Sequence, residues 1–368
     1  MLFTIEQDVL ADALAAPVRV SNSRATASAV GGVLVEAVSG ALVLAGTDGE
    51  TTVRVAVPAD VVEAGTTLLS ARRLFDVVRA LNGRISMSTS GGQVSISASR
   101  FEGEVRALPI GNFPALRPIH IGNALISVHA DVFAEAVAQT TPAVDMNEKY
   151  PMRGGFRLET GPGILQIVTT DGVRLAKVVI PNGLADEVNL TVPRLAIYEA
   201  TRMKGIIDVS IDREDDTVWF KAPRRVISAK MLLGNYPEYR RILPDHADNV
   251  LRVNRQTLID SIRRVTLLAD DAPVILRFPN NDDGPGPLKI GSISSDARAA
   301  DELTVDYIGA EMQIAFTPSL LLDGLEAVRD ETVTIGFNGS DRPVKIGDED
   351  YTYVIMPVRI RTHTGVVS

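Results

Sequence analysis

Residues 3–14 read FTIEQDVLADAL, an alternating strand that runs directly into an apolar stripe of helical spacing. The phrase returns as ISVHADVFAEAV at residues 126–137 and as LRVNRQTLIDSI at 251–262. Leu10, Phe133 and Leu258 hold the same place in it, 123 and 125 residues apart. Thr47-Asp48, Thr170-Asp171 and Ser295-Asp296 recur at those separations, as do the strand-ending Leu108, Met231 and Met356. A second helical stripe also aligns. Leu74, Phe75, Val78 and Leu81 match Ala196, Ile197, Ala200 and Met203, then Leu321, Leu322, Leu325 and Val328. Landmarks in one register mean three homologous units of about 124 residues. The joints fall after residues 122 and 247, giving domains 1–122, 123–247 and 248–368.

Each unit carries two helical stripes and about eight alternating segments, such as Gly32–Glu36, Ala41–Leu44, Arg84–Ser88 and Gln93–Ser97. Asn82-Gly83, Gly91-Gly92 and Asn338-Gly339 punctuate them as turns. The reading is an α+β fold of three repeated domains, each with two helices backed by antiparallel sheets.

Composition narrows the function. The 368 residues include no cysteine, so disulfides, thiolate nucleophiles and cysteine-held metals are excluded. A formal charge of −9 argues against a surface that is basic throughout, but permits a local basic lining. The N-terminal MLFTIEQDVL has neither a basic nor an apolar leader region, so no signal peptide is expected. The apolar run Val30–Gly46 is broken by Glu36 and glycines and reads as two strands, so no membrane association is expected.

Catalytic patterns are missing too. His120, His129, His246 and His363 have no metal-ligand spacing, and His129 reads as a surface imidazole at a strand end. Gly161-Pro162-Gly163 and Gly284-Pro285-Gly286 read as turns between strands, since proline lacks the N–H that a phosphate needs. The acidic runs at 212–216 and 348–350 read as solvated hairpin tips, with no cofactor or metal expected. The pattern favours a binding protein; a metal-dependent nuclease on the acidic runs and a protein-only scaffold are the competing classes.

Several phrases carry a resemblance. They are Ala45–Asp48, Val168–Leu175, Asn235–Pro244 (NYPEYRRILP), Gly309–Met312 and Tyr353–Ile360 (YVIMPVRI). Together they resemble the bacterial DNA polymerase III beta subunit, the sliding-clamp family, over residues 1–360. The resemblance implies a cytoplasmic, nucleoid-associated, non-catalytic processivity factor: a head-to-tail ring of two chains around duplex DNA, without sequence preference. It implies docking of the polymerase alpha subunit, the clamp loader, and other polymerases and repair proteins through short linear motifs. An alternative keeps the fold and makes this a divergent second clamp, tolerant of a pocket-directed inhibitor. Val173 and the tail Arg361–Ser368 motivate it.

By resemblance, Arg24, Arg72, Arg79, Arg194 and Arg202 line the hole, and Lys149 and Tyr150 lie in a DNA-touching loop. A few cations suit sliding, because each phosphate firmly neutralised steepens the salt dependence. The partner pocket is implied at Met152, Thr170, Gly172, Arg174, Leu175, Pro237, Arg241, Ile242, Val354, Met356, Pro357, Val358, Arg359 and Ile360. Methionine and branched aliphatic walls suit many partners. Burying two large apolar side chains contributes roughly 3–6 kcal/mol before ordering costs, so binding is weak and exchangeable. The ring seam is implied at Gly103 and Val105 in the first domain and at Leu267 and Leu268 in the third. Gly103 stands where a large apolar side chain is expected, so a weakened seam is expected.

Overall fold

The computed structural model describes residues 1–21, 31–119, 122–181, 187–269, 272–280 and 284–359. Arg24, His120, Ile360 and the tail lie outside the described residues. Six α-helices are described, two per repeat: α1 Gln7–Ser21, α2 Ala71–Ala80, α3 Ala130–Thr140, α4 Arg194–Ala200, α5 Arg255–Thr266 and α6 Pro318–Ala327. The helices are amphipathic: α1 buries Leu10, Ala13 and Leu14, α2 buries Leu74 and Val78, and α5 buries Leu258, Ile262 and Val265.

The strand pairs whose register is described are antiparallel. A five-stranded sheet runs Asp60–Glu63, Leu2–Glu6, Arg84–Ser90, Gln93–Ala98, Phe101–Arg106. An eight-stranded sheet runs Ile126–His129, Ile206–Asp212, Thr217–Ala222, Arg225–Lys230, Thr51–Pro58, Ala41–Thr47, Gly32–Val38, Gly65–Ser70. A twelve-stranded sheet runs Asn189–Pro193, Gly155–Gly161, Ile164–Thr170, Arg174–Pro181, Tyr351–Ile355, Val344–Gly347, Thr332–Phe337, Asn249–Asn254, Arg298–Ile308, Pro285–Ile293, Val274–Phe278, Met312–Phe316.

The larger sheets cross repeat boundaries. The last strand of repeat two pairs with a strand of repeat one, placing Arg225 opposite Val55 and Ala229 opposite Thr51. The last strand of repeat three pairs with the equivalent strand of repeat two, placing Ile355 opposite Arg174 and Tyr351 opposite Val178. Compactness follows the sheets: one unit gathers Met1–Ala134 with Val192–Leu232, the other Glu135–Pro181 and Glu187–Thr191 with the residues from Leu233 on.

The hairpin readings at 161–163, 212–216 and 348–350 agree with the strand ends, and His129 is an exposed strand end. One turn differs. Gly284 takes a left-handed φ of 79°, but Pro285 and Gly286 already begin the strand Pro285–Ile293. The first residue of a strand is where proline costs no ladder bond.

Candidate DNA and partner interfaces

Arg72 and Arg79 sit on an exposed helix face. Because α2 buries Leu74 and Val78, Arg72 and Arg79 fall on its open side. Arg72 is 3.8 Å from Asp76, and Arg79 lies over the Phe75 ring at 5.6 Å. Arg194 is half-buried at the first position of α4. Arg202 is exposed just beyond that helix and donates to the Tyr198 carbonyl at 2.6 Å. Lys149 and Tyr150 are exposed, and the Arg153 guanidinium stacks 3.8 Å from the Tyr150 ring centre. The α5 cations are committed elsewhere: Arg263 to Glu326 at 2.8 Å and Arg264 to Asp301 at 2.6 Å.

Three of the partner-pocket candidates, Met152, Leu175 and Val354, share one cluster. Val168, Leu175, Tyr236, Tyr239 and Val354 form one buried cluster, with Met152 and Leu243 packed against it. The register between Arg174–Pro181 and Tyr351–Ile355 sets Leu175 opposite Val354, and the Met356 amide donates to the Val173 carbonyl at 3.1 Å. Met356, Pro357 and Val358 thereby leave the sheet beside the turn at 170–174. Val173, Ile242 and Met356 are exposed, Pro237 and Val358 are half-buried, and Arg241 and Arg359 are exposed. Thr170, Leu175 and Val354 are buried.

The turn at 170–174 is built by its own side chains. Thr170 Oγ1 accepts from the Gly172 amide at 3.1 Å and donates to the Arg174 carbonyl at 2.7 Å. Asp171 Oδ1 accepts the Val173 and Arg174 amides, each at 2.9 Å. The Arg174 side chain bridges Asp171 and Asp323, which ties the turn to α6. Gly172 has φ 92°, and a Cβ there would collide with Arg153 Nη1. The left-handed backbone favours glycine, and a side chain there would make Arg153 shift.

Residues that the sequence reading missed bond to this cluster. Glu159 is buried, yet accepts from Tyr239 at 2.7 Å, from Arg157 at 3.1 Å and from Arg240. Tyr236 donates to the Val168 carbonyl at 3.2 Å and meets Tyr239 edge-on at 6.4 Å. Burial raises the pKa of both phenols, so they stay neutral donors across the physiological range. The available signal was a carboxylate inside an alternating strand, RLETG at 157–161, which demands buried partners.

Of the seam candidates, Leu267 and Leu268 are exposed, and Gly103 and Val105 are half-buried. Leu267 and Leu268 stand 80% and 67% exposed after the last turn of α5. Gly103 and Val105 lie on Phe101–Arg106, the edge strand of the five-stranded sheet. They line an apolar hollow of about 130 Å³ with Leu69, Leu74, Val77 and Ile96. Among the described residues no group of His, Cys, Asp or Glu could hold a metal ion. No described helix is long and apolar enough to cross a membrane.

Family models for the DNA polymerase III beta subunit match along the chain: the N-terminal domain at residues 1–117, the central domain at 127–238 and the C-terminal domain at 240–359. The chain belongs to the DNA polymerase III beta subunit family. Its role is that of a sliding clamp, a non-catalytic processivity factor. The beta sliding clamp of Streptomyces coelicolor is 29% identical over 383 residues, covering 98% of this chain and all of that one. The "Beta sliding clamp homolog GriR" of Streptomyces muensis is 27% identical over 376 residues, covering 98% and 99%. Among solved structures, the Pseudomonas aeruginosa sliding clamp bound to griselimycin superposes with a TM-score of 0.90 at 26% identity, covering 98% of this chain and 100% of that one. Of the missed residues, Glu159 accepts from Tyr239 of the cluster and Asp323 ties Arg174 to α6.

Proposed function

We propose that two copies of this chain close head-to-tail into a ring around duplex DNA and carry partner proteins on the groove beneath Met356. The observation that carries the ring is the use of one joint twice within the chain. The last strand of repeat two seals onto Thr51–Pro58 of repeat one, and the last strand of repeat three onto Arg174–Pro181 of repeat two. The same strand pair is left open at the two ends. Phe101–Arg106, the last strand of repeat one, pairs only with Gln93–Ala98. Arg298–Ile308, the matching strand of repeat three, pairs with Pro285–Ile293 on one side and with Asn249–Asn254 only through Asp306–Ile308. Open edges of that kind are ready templates for another chain. Helices repeat the logic. Arg19 in the last turn of α1 grips Glu199 of α4 at 2.7 and 2.8 Å, and Gln139 of α3 donates to the Ala327 carbonyl of α6 at 2.7 Å. The end of α5 and the flank of α2 are the unused members of that series. Repeat boundaries near residues 122 and 247 fit these joints.

Arg72, Arg79, Arg194 and Arg202, with Lys149 and Tyr150, are the proposed DNA-facing set. Met152, Gly172, Val173, Ile242, Met356, Pro357 and Val358 are the proposed groove surface, for a linear motif of a glutamine and two bulky apolar residues. The polymerase, the clamp loader and repair proteins share it by exchange. The test is retention on DNA. Loaded by a bacterial clamp loader, the protein stays on nicked circular plasmid and is lost when the plasmid is cut. Exchanging the four arginines for glutamate abolishes loading without changing the melting temperature. Equal retention on linear and circular DNA would refute encirclement.

A second reading rests on Val173, which is 48% exposed at the groove rim. It makes this copy tolerant of a groove-directed inhibitor. Griselimycin titrated against this protein and against the Streptomyces coelicolor clamp separates the readings, and equal affinity removes the second.

A further inference from the structure

The two internal joints share one register and differ at two positions. At the first, Val226 pairs with Arg54, and Ser228 stands between Thr52 and Trp219. At the second, Thr352 pairs with Lys177, and Val354 stands between Leu175 and Lys345. Lys177 therefore holds the place of Arg54, and Lys345 that of Trp219. Arg54 is well supplied at its joint: its guanidinium lies 6.0 Å from the Trp219 ring centre and donates to the Arg117 carbonyl. A lysine in place of the indole turns a cation beside a ring into two like charges.

Paired residues share a face of a sheet, as do residues two apart in a strand. Lys177 and Lys345 thus stand on the face that carries Leu175 and Val354, on the strands either side of Tyr351–Ile355. Both are half-buried. The buried carboxylate of that face, Glu159, is already taken by Tyr239, Arg157 and Arg240. Among the described residues neither lysine forms an ion pair. Burial, and then the Lys345 charge, lower the Lys177 pKa; Glu349, exposed in the next turn, opposes them without cancelling them. The chain has 46 acidic residues against 37 basic ones, yet this pair stays unmatched.

We propose that Lys177 and Lys345 form a basic margin of the partner groove that recognises carboxylate side chains flanking the linear motif. This rests on the proposal that partners dock beside Met356. Charge complementarity names the occupant, and the strand sets its length. Lys345 and Lys177 stand beside Val354 and Thr352, two and four residues before Met356, or about 7 and 13 Å along an extended strand. A flank of two to four residues spans that distance. A carboxylate there meets an ammonium and also relieves the like-charge pair, whereas a basic flank adds to the repulsion.

The test is fluorescence anisotropy of the full chain with labelled peptides: the motif alone, and the motif carrying four acidic residues or four glutamines at either end. The acidic flank at one end should tighten binding about fivefold at low salt, and the gain should shrink as salt is raised. Lys177→Gln with Lys345→Gln should bring the ratio of acidic-flanked to bare affinity to one. Lys177→Arg with Lys345→Arg, which keeps the charge, should keep the gain. Lys345→Trp, which restores the first joint's pair, should lose most of it. A thermal melt beside each variant exposes any that fails to fold, and the salt series on the wild type needs no variant. If the bare motif does not bind, the docking reading falls and takes the margin with it. If the bare motif binds and neither acidic flank outdoes glutamine, the margin is wrong and the docking reading survives. A gain that persists in the double glutamine variant, or binding of a short oligonucleotide that is lost there in its place, would overturn the assignment.

Discussion

Two corners of this molecule are built alike and end differently. At residues 47–51, Thr47 Oγ1 accepts the Gly49 amide at 3.1 Å and donates to the Thr51 carbonyl at 2.9 Å, while Asp48 Oδ1 accepts the Glu50 and Thr51 amides. At residues 170–174 the same four bonds join Thr170, Asp171, Gly172, Val173 and Arg174. Both glycines are left-handed, with φ 98° and 92°. The next three residues differ: Glu50-Thr51-Thr52 in the first corner, Val173-Arg174-Leu175 in the second. The first corner ends as a polar turn. The second gains an exposed valine, a cation tied to α6 and a buried leucine paired with Val354. The turn is a scaffold that the repeat supplies, and function lies in the side chains hung on it.

The two corners part most sharply at the carboxylates behind them. Glu36 and Glu159 hold the same strand place, opposite Val43 and Gln166. Glu36 is half-exposed; Glu159 is buried under three donors. Glu159→Ala leaves Arg157 and the Tyr239 hydroxyl without their acceptor, and is expected to cost about 3 kcal/mol. Glu36→Ala is expected to cost under about 1 kcal/mol. Urea unfolding of both variants checks this, and equal losses would mean that Glu159 does not hold the groove wall.

The glycines come second in size. Gly49→Ala meets nothing within 4 Å and costs only the left-handed backbone, roughly 1–2 kcal/mol. Gly172→Ala carries the same backbone cost and also pushes Arg153 off its seat between Tyr150 and Asp145. It is expected to be the more damaging of the two by melting temperature, and to loosen Tyr150 as well. Equal shifts would show that Arg153 moves aside freely.

The repeat, and with it the fold, was legible because the landmark residues hold hydrogen bonds and core positions that cannot drift. Leu10, Phe133 and Leu258 are all buried, and both Thr-Asp turns bond themselves. The groove was legible as a set of residues but not as a surface. Sequence does not show that Leu175 and Val354 are buried together, because that depends on the strand pairing that joins distant repeats. Glu159 was not legible, because it acts through a neighbour brought close by folding: Tyr239, 80 residues away.

The smallest effect on stability separates the corners most cleanly in function. Val173 and Glu50 occupy the same position of the same turn, and Val173 is exposed, so exchanging it need not disturb the fold. Val173→Glu should lower affinity for a motif peptide by about tenfold, through lost apolar contact and a charge placed at the rim. It should leave the stability within about 0.5 kcal/mol of the wild type, as surface changes do. Glu50→Val, the mirror exchange, should create no peptide binding, because no leucine lies beneath it: the next positions are Thr51 and Thr52. Fluorescence anisotropy of one labelled peptide against the three proteins decides the matter. Loss with Val173→Glu and no gain with Glu50→Val means that the groove needs its floor as well as its rim. An unchanged affinity for Val173→Glu would move the docking surface away from this turn, toward Ile242 and Met356.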